Sequence, residues 1–385
     1  MKTYDVAIIG GGVIGASIAF ELAGAGLRVS VFDRQAPGCE ASWAAAGMLS
    51  PAPDSPRDLP LVPLGRESLR LYPDFVASIE QVSGQSARLA RPGAFEVFTG
   101  PNAEADRDRR VAECRRLGIS AEVVPLDTAR NAEPVLRATA GSVAWLPEEA
   151  TVEPRALTSA VVAAAQRRGA EIRSYSPVTG LVLDGGSCRG LIAGGEEVSA
   201  AQVVLAAGCF SNQVAAESDA WGPYAPTRPV RGQMAALCPD GAGLQRVLRS
   251  TRGYLVPRQD GRVVAGSTSE EAGFDKRVTP QGMRKIFDAA LELLPGLAGA
   301  EVIETWSGLR PGTPDDLPIL GPTDLEGLLI ATGHYRNGIL LAAVTAKLMR
   351  EWIVDARTAF DTQAFSPMRF IGQNARAGTA GSTRD

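Results

Sequence analysis

The hydrophobic pattern of the chain opens on a short run without polar alternation, Tyr4 to Ile9 (YDVAII), in which only Asp5 is charged. Such a run suits a strand buried on both faces, the environment of a parallel sheet. From Val13 to Ala25 the apolar residues recur at helical spacing and Gly26 offers a stop, while residues 28–32 (RVSVF) predict a second strand. The chain thus begins as a strand–helix–strand unit. The pattern of a buried strand running into glycine returns at 202–208 (QVVLAAG) and at 328–333, where LLIAT meets Gly333.

Between these runs the periodicity changes. A Gly/Ala/Ser-rich stretch over 38–50 and a proline-rich loop to about residue 63 precede a helix predicted over 64–83. Short strands are predicted at 95–98 and 121–126, with a charged helix near 103–117 between them. Thr151 to Pro154 supply an N-cap and an early proline for a helix running to about Arg168. Strands follow at 171–175, 178–184 and 188–193, and residues 224–268 read as strand throughout. The segment YLVPRQDGRVVAGS predicts a hairpin turning at Asp260-Gly261. A helix over 280–294 carries Met283, Ile286, Phe287, Ala290, Leu291 and Leu294 on one face, which suits packing against a sheet. A strand near 300–307 leads into a Pro/Gly-rich loop that carries Arg310, and a helix over 338–354 follows. The tail after Gly372 is small and polar and reads as disordered. No internal repeat is evident.

Composition narrows the class. At 385 residues the chain is long enough for two domains, or for one with a large insertion. A net charge of −4 without a clustered basic stripe argues against a nucleic-acid partner. The five cysteines are scattered and form no CxxC pair, and His334 is the only histidine, so neither a disulfide framework nor a metal site is expected. No stretch reaches the roughly 18 uncharged apolar residues of a membrane span. The expectation is a cytoplasmic protein with no membrane partner, acting as a homo-oligomer.

Gly10, Gly12 and Gly15 fit G-x-G-x-x-G between a strand and a helix. The first glycine permits the tight turn, the second admits a pyrophosphate to the backbone, and the third lets helix and strand pack closely. The helix N-terminus then offers N–H groups and a positive dipole end. Asp33 ends the second strand, where an acid holds ribose hydroxyls and would repel a 2′-phosphate; this argues against NADP despite Arg34. Two further segments favour FAD over NAD. Ala44, Ala45, Ala46 and Gly47 are small enough to let backbone pass beside a flat ring, although the same composition suits a surface loop. The segment GHYRNGILLA (333–342) opens a helix whose N-terminus can face the pyrimidine edge of a flavin.

IIGGGVIG, SWAAAGMLSP, GYLVPRQDGRVVAGST, WSGLRPGTPDDLPILGP and GHYRNGILLA together resemble the glycine oxidase (ThiO-type) branch of the D-amino-acid oxidase family over roughly residues 4–355. The resemblance implies an α/β fold: a Rossmann-like FAD-binding domain of glutathione-reductase type with an inserted mixed β-sheet substrate domain. We expect residues 1–83, 145–222 and 313–371 in the former and 84–144 and 223–312 in the latter. It implies non-covalent FAD and oxidation of the α-C–N bond of a small amino acid, with hydride passing to the flavin. The partners are then a small amino-acid substrate and molecular oxygen, and hydrogen peroxide and an imine or oxo acid are the products. Glycine, sarcosine, D-alanine and D-proline are all in scope, and thiamine synthesis is one setting.

The cofactor contacts it implies are Gly10, Gly12, Val13, Ile14, Gly15, Asp33, Arg34, Ser42, Ala45, Ala46, Gly47, Met48, Val178, Ala207, Gly208, His334, Arg336, Asn337, Gly338 and Ile339. Arg310 matches the arginine that binds the substrate carboxylate, a role suited to a planar, permanently charged fork; a salt bridge to Asp315 or Asp316 is the alternative. Tyr254 matches a tyrosine contacting the same carboxylate, against a plain core aromatic. Arg336 is expected near the substrate or the flavin edge, against a surface charge. Arg252 departs from the histidine of Bacillus-type members, and Ser269 makes one pocket position polar. Two other readings stay open. One is a D-amino-acid or glycine dehydrogenase that passes electrons to a quinone or partner subunit. The other is a flavin-binding subunit without turnover.

Overall fold

The computed structural model describes residues 3–138, 141–216, 224–240 and 243–371; the tail expected to be disordered lies outside them. The fold is α/β. At its centre the strand Thr3–Ile9 pairs in parallel with Val29–Phe32 on one side and Glu196–Leu205 on the other. The sheet extends through Leu328–Thr332 to Ile319–Pro322 at one edge and to Glu171–Arg173 at the other. Two antiparallel strands, Val178–Asp184 and Ser187–Ala193, are paired onto Glu196–Leu205.

The unbroken apolar run of the first strand has a direct cause. Val6 and Ile8 enter one core, shared with the helices Val13–Gly24, Leu61–Ser83, Pro154–Arg167 and Gly338–Val354. Ala7 and Ile9 enter a second core on the opposite face, with Leu191, Val203 and Leu205. Over Val6–Ile9 neither face meets water, so neither carries polar residues.

A second, mixed sheet runs in the order Glu301–Gly312, Arg228–Cys238, Val263–Gly266, Tyr254–Pro257, Val247–Arg249, Ala94–Phe98, Ser142–Leu146 and Glu122–Val124. Its neighbours are antiparallel except for Val247–Arg249 beside Ala94–Phe98. One face is closed by the helix Pro280–Leu293, whose Ile286, Ala290 and Leu293 join Leu237, Leu255 and Val263. The other face meets Ala44, Ala46 and Ala52 from the N-terminal segment. The two sheets therefore share a seam, and the Gly/Ala/Ser-rich stretch lies in it.

The structure corrects four local expectations. The strand Ser142–Leu146 belongs wholly to the second sheet and crosses the boundary expected between residues 144 and 145. Thr151 is not the N-cap: it pairs with Met48 in a two-stranded ladder, and Glu153 precedes Pro154 at the helix start. Arg310 is not in a loop, because the strand predicted to stop near 307 continues to Gly312, paired throughout with Arg228–Cys238. Leu291 faces away from the sheet at 37% exposure, while Ala289 is buried in its stead.

This packing makes a stability prediction for the helix Pro280–Leu293. Ile286→Ala should cost about 2–5 kcal/mol through the cavity it leaves, whereas Leu291→Ala should stay within about 0.5 kcal/mol. Urea midpoints of the two variants check this. Equal midpoints would contradict the assigned face.

Candidate active site

The first strand ends at Ile9 and the chain turns through Gly10, whose φ of +104° suits glycine and few other residues. A Cβ on Gly10 would stand 2.5 Å from the carbonyl oxygen of Ala206. A Cβ on Gly15 would overlap the Gly10 carbonyl, so the helix rests directly on the strand end. The helix begins with Gly12 as an N-cap that has no side chain to satisfy the first turn. Val13 N–H donates to Ser42 Oγ at 2.9 Å. Ile14 and Gly15 also lie in the first turn, where N–H groups lack an i−4 carbonyl. The result is a backbone-lined cradle with donors facing out, the form a diphosphate fits.

The cradle opens into a cavity of about 960 Å³ that runs along the seam between the sheets, near the upper end of ligand-site volumes. Gly10, Gly12, Val13, Ile14, Asp33, Arg34, Ser42, Ala45, Ala46, Gly47, Met48, Val178, Ala207, Gly208, His334, Arg336, Asn337, Gly338 and Ile339 all line it, as do Arg310 and Tyr254. Gly15 lies behind the wall and supports it by packing.

Several of these residues have partners that refine their roles. Asp33 accepts Gly11 N–H at 2.8 Å and Gln35 N–H at 2.9 Å, so it braces the glycine turn as well as bordering the cavity. Burial holds its carboxyl above the usual range, partly offset by those two donors. Arg34 lies over the Phe210 ring at 3.5 Å and pairs with Glu40. Arg336 pairs with Asp54 at 3.1 Å, and both side chains are about half exposed (46% and 53%), which places Arg336 at the mouth of the cavity.

His334 is buried with Nε2 3.0 Å from Thr345 Oγ1. Burial pulls its pKa down to about 3, so it is neutral and orders the loop before Gly338–Val354. Cys209, the one cysteine on this wall among the described residues, is pushed up to about 12 by burial and stays a thiol.

Arg310 stands on the cavity wall opposite the glycine turn's sheet. Its guanidinium donates to Thr268 O at 3.0 Å and to Ser267 Oγ at 2.7 Å. Those contacts use two of its five N–H groups and leave others for a ligand. Burial lowers its pKa, and the Tyr254 hydroxyl beside it works in the opposite sense. The salt bridges considered for it go elsewhere: Asp315 pairs with Arg369 and Asp316 with Arg228. The register across the strands makes room for the guanidinium. A Cβ on Gly232, from the paired strand, would overlap it, and a Cβ on Gly266 would crowd the Tyr254 hydroxyl at 2.7 Å. Arg252 is held by Glu292, and Ser269 Oγ stands 3.5 Å from the Tyr335 hydroxyl.

Sequence reading missed an ionic cluster on the same wall. Arg249 pairs with Glu96 at 3.0 Å and Glu149 at 2.9 Å and donates to Ser50 Oγ, while Arg110 pairs with Glu96 at 3.1 Å. Glu149 is buried and burial raises its pKa. Arg249 and Glu96 are cross-strand neighbours 153 residues apart. Only the strand pairing could have exposed them.

A cradle for a diphosphate, a long seam and a part-buried guanidinium on its wall fit a flavin nucleotide and a small carboxylate. The family model for FAD dependent oxidoreductases (DAO) matches residues 5–352. The chain belongs to the DAO family. It is therefore an FAD-dependent oxidoreductase. The chain is 35% identical to the glycine oxidase of Geobacillus kaustophilus over 373 residues, covering 96% of this chain and 98% of that one. The crystal structure of that glycine oxidase superposes with a TM-score of 0.90, at 33% identity over 97% of this chain and all of that one. The bifunctional protein ThiO/ThiG of a Synechocystis species is 35% identical over 96% of this chain and 54% of its own length. Among the described residues no helix is long and apolar enough to cross a membrane.

His334 generates a pH prediction. Its folded pKa of about 3 lies below the unfolded value near 6.5. Between these values the unfolded chain binds one more proton, so stability is lost as pH falls through that window. Going from pH 7 to pH 5 should cost the wild type about 2 kcal/mol more than it costs His334→Gln. Urea unfolding of both proteins with FAD saturating at each pH measures the difference; parallel losses would contradict it.

Proposed function

We propose that the protein oxidises glycine and other small amines of its type, such as sarcosine, D-alanine and D-proline, with oxygen as the electron acceptor. The observation that carries this reading is Arg310: a part-buried guanidinium on the cavity wall, with N–H groups to spare and Tyr254 beside it. A carboxylate docked there gains two charge-assisted hydrogen bonds and relieves an incompletely compensated, part-buried cation. FAD held along the cavity would supply the acceptor for a hydride from the substrate α-carbon and the route for those electrons to oxygen.

The protein's own residues bind and orient. Arg310 and Tyr254 fix the carboxylate and with it the position of the α-carbon. Main chain at Gly10–Gly15 and Asp33 would hold the nucleotide end of the cofactor, and the helix starting at Gly338, whose first residues line the cavity, would offer its positive end to the bound group. No side chain is assigned as a base. His334 is neutral but faces Thr345, and the substrate amine loses its proton to water. FAD is held without a covalent link in this reading, since the cysteine on the cavity wall is a buried thiol. Similarity to proteins joined to ThiG supports thiamine synthesis as the setting.

The test uses the purified, FAD-loaded protein. Glycine added without air should bleach the flavin, and admitting air should restore the colour with release of peroxide. Bleaching without recovery would reject oxygen in favour of a quinone or partner subunit. No bleaching by any of the four amines would reject the substrate class. Arg310→Ala should raise the glycine KM by about a hundredfold or more and leave FAD affinity unchanged; equal loss of both would remove Arg310 from the substrate site.

A further inference from the structure

The stretch Ala44–Met48 borders the cavity, and four carbonyl groups of residues 43–47 are tied from outside. Trp43 O accepts from Arg155 Nε at 3.3 Å, and Ala44 O from Trp306 Nε1 at 3.1 Å. Ala46 O accepts from Arg258 Nη2 at 2.8 Å, and Gly47 O from Val152 N–H at 2.9 Å. Two of these donors, Arg258 and Trp306, belong to the second sheet or its hairpin. Trp306 stands on the strand that carries Arg310, four residues away and so on the same side of it. Gly308 lies between them, and a Cβ there would overlap Ala44. The strand that holds the carboxylate anchor thus also braces the wall.

Arg258 is the buried member of this set. Its side chain is 6% exposed, pairs with Glu153 at 3.2 Å and also donates to Val152 O at 3.3 Å. It lies outside the cavity lining. Because a peptide group is planar and trans, drawing the Ala46 carbonyl towards Arg258 turns the Gly47 N–H the opposite way. Gly47 lines the cavity, and among the described residues no acceptor is found for its N–H. Its φ of +81° and its contact with Val152, where a Cβ would overlap, hold the plane in place.

We propose that Arg258 is a positioning residue that sets the peptide plane between Ala46 and Gly47, so that the cavity wall presents an N–H donor to the flavin ring instead of a carbonyl. The inference rests on the FAD-dependent reading above and adds to it a control of the flavin by the substrate sheet. A donor at the ring stabilises the extra negative charge of the reduced flavin; a carbonyl in its place opposes that charge.

The test measures the two-electron reduction potential and visible spectrum of the FAD-loaded wild type, Arg258→Gln and Arg258→Lys, with steady-state rates on glycine. Arg258→Gln should show a lower potential, a shifted flavin absorption band and a kcat reduced about tenfold to a hundredfold, with the glycine KM little changed because Arg310 is intact. Arg258→Lys keeps the charge and one donor and should fall between. A folded Arg258→Gln with the wild-type potential and spectrum would overturn the proposal. If that variant does not fold, Arg258→Lys decides, since it removes the Nη2 donor to the Ala46 carbonyl while keeping the charge: a smaller shift of the same sign supports the proposal, and an unchanged potential overturns it. A wild type that binds FAD yet is bleached by no amine fails the functional reading, while the potentials still decide this inference.

Discussion

Around the seam between the two sheets, elements approach one another at glycines, where a side chain would not fit. Gly308 lies against Ala44, Gly15 against Gly10, and Gly232 under the Arg310 guanidinium. Each contact brings its two partners closer than a Cβ would permit, two of them at the cavity wall and the Gly15 contact just behind it. Interiors packed to this density transmit position rigidly. The glycine turn at residues 10–15, the stretch Ala44–Met48 and Arg310 are therefore held in one register around the cavity, although they are far apart in sequence. A reaction that moves a hydride over a short, fixed distance depends on such a register.

Charge is handled along the seam by a second rule. Arg249, Glu96, Glu149 and Arg110 neutralise one another in a buried cluster. Arg249 shows the balance: burial opposes its charge, but Glu149 and Glu96 outweigh it and its pKa rises. At Arg310 burial prevails and the pKa falls, with polar uncharged groups as its partners. The contrast between these two arginines is what distinguishes an ion network closed on itself from the guanidinium proposed to receive a carboxylate.

Much of this was legible in the chain. The strand ending in Gly10, the helix at Val13 and the Asp260-Gly261 hairpin follow from local rules of periodicity and turn chemistry. The segments around Tyr254, Arg310 and His334 carried the resemblance to relatives. What escaped reading depends on contacts across long separations. Thr151 looks like a helix cap until Met48 pairs with it. The strand through Arg310 looks as if it ends at a Pro/Gly loop until Arg228–Cys238 supplies its ladder. Arg258, an ordinary residue before a polar turn, gains meaning only from a carbonyl 212 residues earlier in the chain.

The central claim is that one cavity holds the flavin ring against Ala44–Met48 and a substrate carboxylate on Arg310. A crystal structure of the protein with FAD and glycolate, an unreactive carboxylate of glycine's size, tests it most directly. The account predicts the diphosphate on the main chain of residues 10–15, the ring along Ala45–Met48 and the glycolate carboxylate bidentate on Arg310 with Tyr254 in contact. Glycolate bound elsewhere with Arg310 unliganded, or a ring lying outside the seam, would contradict it.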